Sequence, residues 1–221
     1  MSYPLSPVKF DFFPAVKLKT ITLLLPILIS LTMAEANSES WALIGLFGAD
    51  FFSQLEQNPD NPKFLSIDSG VNPGVNVGLE LDWNYSNTCN FTVGFQGQIP
   101  RSIHSESSTF YFTPLYGSVR LRLIEPDRHG FRYLASMGAD HVDLVLKLGY
   151  GFFSGTDHFR AGADLSGDRY GGLGFIWHHQ NMQIQLSYNR CTGQAEWLDD
   201  TNDIKYNKFD LNVGYNLRKL F

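Results

Sequence analysis

Residues 75–85 read Val-Asn-Val-Gly-Leu-Glu-Leu-Asp-Trp-Asn-Tyr, eleven positions of unbroken apolar and polar alternation. Successive side chains of a β-strand point to opposite faces, whereas a helix repeats about every 3.6 residues. The segment is therefore a strand with one greasy and one wet face. The same period returns along the chain. Cys89, Phe91, Val93 and Phe95 alternate with Asn90, Thr92, Gly94 and Gln96. Leu115 to Leu123, Val142 to Phe152, Gly171 to Trp177, Met182 to Tyr188 and Phe209 to Leu217 repeat it, and the Gly-rich apolar stretch 41–52 supplies a first strand. Eight strands are expected.

The expected connections alternate in length. Residues 53–74, 100–109 and 191–205 read as long polar loops, while 86–88 and 178–181 read as tight turns. Long loops at one end and short turns at the other are the habit of membrane-spanning β-barrels. Residues 125–141 depart from it, and an extra turn or short helix is expected there because Val142 restarts the alternation.

The N-terminus carries a separate signal. Residues 21–33 form an apolar run preceded by Lys17 and Lys19 and followed by Ala34-Glu35-Ala36. A positive flank, a short apolar core and a small-residue exit describe a secretory signal peptide. The run is too short to span a bilayer as a helix, which takes about 20 residues, and Pro26 interrupts it. Cleavage is expected after Ala36, giving a signal peptide at 1–36 and a barrel at 37–221. That cut removes three lysines and two acidic residues, so the exported chain stays net negative. Such a balance offers no footprint for nucleic acid. No later run is long and apolar enough for a membrane helix, so membrane residence would require a closed ring of strands.

Three features favour lipid over water. The polar faces carry both signs of charge: Glu80, Asp82, Arg120, Arg122, Asp143 and Lys147 are expected to form an interior polar network. Aromatics gather near strand ends, as rings do at headgroup level. Trp83, Tyr85 and Trp177 are expected in a periplasmic belt, and Phe110, Phe112, Tyr150, Phe152, Tyr188 and Phe209 in an outer belt. The chain also closes on FDLNVGYNLRKLF. This ending resembles the C-terminal strand of outer-membrane barrels, with Lys219 as a departure. The resemblance implies that Tyr215, Leu217 and Phe221 form the signal read by the barrel-assembly machinery. Residues 169–190 resemble the strand–turn–strand near the end of small OmpA-like barrels. The resemblance as a whole implies an all-β, closed, antiparallel up-and-down transmembrane barrel of about eight strands. It would sit in the outer membrane of a Gram-negative cell among lipid and lipopolysaccharide, with no cofactor and no peptidoglycan-binding domain.

Other constellations are weaker. Cys89 and Cys191 are the only cysteines and are expected at opposite ends, too far apart to bridge. His178 and His179 are adjacent, would point to opposite faces if on a strand, and have no third ligand in view, so a solvated turn and no metal are expected. His104, Ser105 and Glu106 resemble the sets of lipid A-deacylating barrels but lack a partner motif, so the expected protein is not an enzyme. The sequons at Asn84 and Asn90 read as chance matches.

The functional expectation is a structural or surface-interaction barrel whose lumen is filled by side chains. Its outer loops, 53–74 and 191–205, are acidic and would favour cationic partners or divalent ions bridging to lipopolysaccharide. Alternatives are a narrow porin, an exported soluble lipid-binding barrel and a lipid A-modifying enzyme. The extracellular ligand stays open.

Overall fold

The computed structural model describes residues 41–57, 67–102, 109–124, 140–156, 164–197 and 200–217. They form β1 (Trp41–Gln57), β2 (Ile67–Val71), β3 (Gly74–Asn84), β4 (Cys89–Gln98), β5 (Arg101–Ser102), β6 (Thr109–Ile124), β7 (His141–Gly155), β8 (Asp164–His179), β9 (Met182–Trp197) and β10 (Asp200–Asn216). Eight of them pair in the order β10-β9-β8-β7-β6-β4-β3-β1, and β10 pairs back onto β1. Every pairing is antiparallel. The ring is thus closed and has no free sheet edge between these strands. β2 adds to the far half of β1, and the two-residue β5 adds to β6. All eight strands expected from the alternation are present.

The first residue of β1 and the last of β10 lie at one end, here the terminal end. The Gln180-Asn181 turn closes β8 onto β9 there, with Gln180 at φ 54 in the left-handed region. Ser86 closes the other tight turn: its amide bonds to the Cys89 carbonyl and its hydroxyl accepts from the Cys89 amide. At the opposite, far end the strands run on beyond the expected span. β6, β8 and β9 have 16 residues and β10 has 17. At about 3.3 Å per residue and a tilt of about 45°, such a strand reaches about 37 Å, well over the ~25 Å apolar band of a bilayer.

Three expected loops are corrected on this point. Residues 191–197 and 200–205 are strand and not loop: Cys191 pairs with Tyr206, and the ladder continues to Asp200 opposite Trp197. The segment reads as polar because its outward face, with Arg190, Thr192 and Lys205, lies past the apolar band. Its inward face, Cys191, Ala195, Ile204 and Tyr206, is buried. Residues 53–74 likewise include the end of β1 and all of β2, and 100–109 includes β5. A bulge at Phe52, with φ 48, shifts the β1 register and returns Ser53 and Leu55 to the interior. The signal peptide, residues 125–139 with their expected turn or helix, and Phe221 lie outside the described residues.

Candidate functional site

Strand parity decides what each side chain meets. Outward positions are apolar and exposed: Leu148 is 75% exposed and Phe47 62%, with Val77, Leu79, Phe95, Leu146, Leu173, Ile184, Leu211 and Val213 also bare. On β7 this face runs unbroken from Leu144 to Phe152, about 19 Å at ordinary rise and tilt. Inward positions are polar or charged and buried, including Asp50, Asn76, Glu80, Gln96, Lys147, Asn189, Lys208, Asp210 and Asn212. A protein in water arranges these faces the other way round. The chain is a transmembrane β-barrel. With its strands closed into a ring, its backbone groups are paired within the sheet, as hydrocarbon demands.

No protein-family model matches the sequence, and no curated protein is similar to it in sequence. Solved structures similar in fold include the outer membrane protein OprG from Pseudomonas aeruginosa, at 10% identity and TM-score 0.40, covering 80% of this chain and 95% of that one. Neisserial surface protein A is 11% identical with TM-score 0.43, covering 79% and 96% respectively. The outer membrane protein AlkL, solved in lipid bilayers, is 12% identical with TM-score 0.47, covering 82% and 92%. At such identities the likeness is one of fold alone.

The interior has three layers. Nearest the terminal end, Arg120 reaches Glu80 Oε2 at 2.5 Å and Asp82 Oδ2 at 3.1 Å. Tyr116 donates to Glu80 at 2.7 Å, Thr92 donates to Asp82 at 2.7 Å, and Gln183 accepts from Arg120 at 3.3 Å. Gly94 makes room for this knot: a Cβ there would stand 2.8 Å from Glu80 Cγ and 3.0 Å from the Tyr116 hydroxyl. In the middle, Lys208 pairs with Asp210 at 3.1 Å, and Asn76 and Asn189 donate to the same carboxylate. Lys147 donates to Gln185 at 3.1 Å and lies over the Tyr116 ring, 4.9 Å from its centroid. Towards the far end, Arg101 binds Asp50, which also accepts from Tyr206 at 2.6 Å.

Four buried cations, Arg101, Arg120, Lys147 and Lys208, together with Arg122 at the mouth, face five buried carboxylates, Asp50, Glu80, Asp82, Asp143 and Asp210. Charge therefore balances among these groups, the condition for burying so many ions. Of the six residues expected in the network, Glu80, Asp82 and Arg120 share one knot and Lys147 lies beside it. Asp143 and Arg122 stand apart at the terminal mouth with His141 and His178.

The lumen is not polar throughout. Towards the far end Leu55, Val71, Phe110, Phe112, Phe153, Cys191, Ala195, Ile204 and Tyr206 belong to one apolar cluster, which Tyr116 and Tyr170 extend into the ionic layers. Phe112 stacks on Tyr206 at 5.6 Å and on Phe153 at 4.6 Å. Phe110 and Phe112 are therefore corrected: they belong to this interior plug and not to a lipid-facing belt. Their spacing from Arg120 is even, so the alternation that turns Arg120 inward turns them inward too. That parity was the available signal. Asp50, Arg101, Lys208, Asp210 and Tyr206 escaped the sequence reading because four of them lay in or beside stretches read as loops or loop edges.

The other expected belt residues lie on the outward face. Trp83 stacks on Trp41 at 5.6 Å and contacts Tyr85 and Phe91, and Trp177 contacts Phe175, near the terminal end. Phe209 touches Tyr188 and Phe51, and Tyr150 touches Phe152, farther up. Tyr215 pairs with Gly45 across the closure, and Leu217 packs where Gly45 leaves space. Cys89 faces outward beside the β3–β4 turn and Cys191 faces inward in the far half; both thiols are free. His104, Ser105 and Glu106 lie outside the described residues.

Proposed function

We propose that this chain is an integral outer-membrane protein with a structural or surface-interaction role, non-enzymatic and closed to ion flow, its terminal end in the periplasm and its far end outside. The double closure of the lumen carries this reading: an ionic knot around Arg120 below, and the Phe112–Tyr206–Phe153 stack above. Either layer alone fills the cross-section of a ring this small. The aromatic stack across the lumen argues against the narrow-pore alternative. The strand extensions of β6 to β10 give the surface role its material, because they stand rigidly above the bilayer instead of trailing as loops.

Lipopolysaccharide as the surrounding partner finds support on the outward face. A groove of about 570 Å³ lies where the apolar band ends. Leu148, Leu173 and Tyr188 line its lower part, and Arg169, Arg190 and Lys205, with Asp168 and Asp203, its upper part. An apolar lower part suits an acyl chain, and an upper part with three cations against two carboxylates leaves Arg190 and Lys205 to meet its phosphate.

Planar-bilayer recording of the purified chain tests the closed lumen: no conductance steps above the lipid background are expected, and regular steps would overturn it. Retention of lipopolysaccharide through purification, reduced when Arg190 and Lys205 are both changed to Gln, tests the groove; equal retention would remove it from the reading.

A further inference from the structure

The terminal mouth of the barrel holds a group of side chains with no part in the interior plug. His141 and Asp143 are two residues apart on β7 and so share its inward face. His178 on β8 is the direct register partner of His141. The two imidazoles stack with centroids 4.1 Å apart. Asp143 Oδ2 stands 2.9 Å from His178 Nε2 and 3.7 Å from His141 Nε2. One ligand atom from each of the three residues lies within 4.8 Å of the others.

Two further observations point to a ligand. Asp143 is 2% exposed, yet its Oδ1 accepts no hydrogen bond. The positive group that faces it, Arg122 Nε, stands 3.8 Å away and beyond hydrogen-bond reach, so this buried oxygen has a coulombic neighbour but no donor. The group also faces a vestibule of about 210 Å³, lined by Asp82, Arg122, His141, His178 and Gln183, which supplies an entry path and room for water.

We propose that His141, Asp143 and His178 bind a first-row divalent transition-metal ion of the imidazole-preferring kind, such as Zn²⁺. Two imidazoles and one carboxylate with an open fourth position form a recurrent set for such ions. Ligands about 2.1 Å from a tetrahedral ion stand about 3.4 Å apart, so side-chain rotations close the observed spacing without moving the strands. Arg122 guards the site: its Nη2 is 3.2 Å from His141 Nε2 and its Nε is 3.8 Å from Asp143 Oδ1. A cation can enter only as this guanidinium swings outward, and its side chain, a quarter exposed, has the vestibule to swing into. Arg122 is thus a brake on affinity. His179 faces outward, away from the group, and serves as the internal control.

The test is calorimetric titration of Zn²⁺ into the folded full chain in detergent, paired with the visible absorption of Co²⁺ in the same site. One ion per chain is expected. H178Q and D143N should abolish binding, H179Q should leave it unchanged, and R122Q should tighten it by about tenfold, the scale of a neighbour acting on a metal's ligands. Slower gel migration on boiling confirms that each variant is folded, and H141Q replaces D143N if the latter fails. Zn²⁺ binding that survives both H178Q and H141Q would overturn the proposal. So would the lack of submillimolar binding in the wild type and R122Q alike.

Discussion

Asp50 and Asp210 stand directly opposite each other across the β1–β10 closure, both fully buried. Like charges in that position oppose the pairing that completes the ring. Each is answered from a different direction: Asp50 by Arg101 and the Tyr206 hydroxyl, Asp210 by Lys208 and two asparagine amides. The closure thus rests on cations brought from β5 and from β10 itself.

Removing one of those cations should expose the repulsion. Arg101→Gln is expected to destabilise the barrel by about 3–5 kcal/mol, the cost of stranding one member of a buried ion pair. Asp50→Asn added to it should recover part of that loss, with a coupling of about 1–3 kcal/mol. Urea unfolding in lipid vesicles measures both. Strict additivity of the two changes would show that Arg101 and Asp50 do not act on each other at this site.

The Arg120 knot should behave as a unit. Arg120→Met alone leaves Glu80 and Asp82 without their shared cation and should cost about 3–5 kcal/mol. The triple change with Glu80→Gln and Asp82→Asn should restore most of that, because the interior no longer holds unpaired charge. Unfolding midpoints of the single and triple variants decide the matter.

The two closures of the lumen act in series. Arg120→Ala on its own should leave the barrel non-conducting, since Phe112, Phe153 and Tyr206 still fill the section above it. Joining it to Phe112→Ala and Tyr206→Ala should produce conductance steps in a planar bilayer. Steps from the single variant would mean that the aromatic layer is no barrier.

On the lipid face, position along the strand should set the cost of a charge. Leu211 lies in the apolar run of β10, so Leu211→Arg should destabilise by about 2–4 kcal/mol, as a cation near the midplane does. Lys205, six residues up the same face and past the aromatic pair Phe209 and Tyr188, should tolerate Lys205→Arg without measurable change. Vesicle unfolding of the two variants side by side checks the position of the boundary.

Tight packing around Glu80 offers a steric test. A Cβ at Gly94 collides with Glu80 Cγ and the Tyr116 hydroxyl. Gly94→Val should therefore cost about 1–3 kcal/mol through overpacking. Gly97→Val, on the outward face where the nearest atom to a Cβ is 3.6 Å away, should cost far less.

The period of two was legible residue by residue, because it belongs to the backbone of a strand and needs no distant partner. Eight strands, their antiparallel hairpins, and the inward course of Glu80, Asp82, Arg120 and Lys147 followed from it. What eluded a linear reading was the content of the far half. Once a strand leaves the bilayer its outer face turns polar, so Arg190, Thr192 and Lys205 made a strand look like a loop. Phe110 and Phe112 share Arg120's parity, but an aromatic near a strand end suits either a belt or a core; Phe153 meets Phe112 through the β6–β7 register, and only ring closure brings Tyr206 of β10 within stacking distance. The meeting of Asp50 with Asp210, and of His141 with His178, was likewise decided by register between strands. Register depends on which strands become neighbours when the sheet closes, and no single strand contains that information.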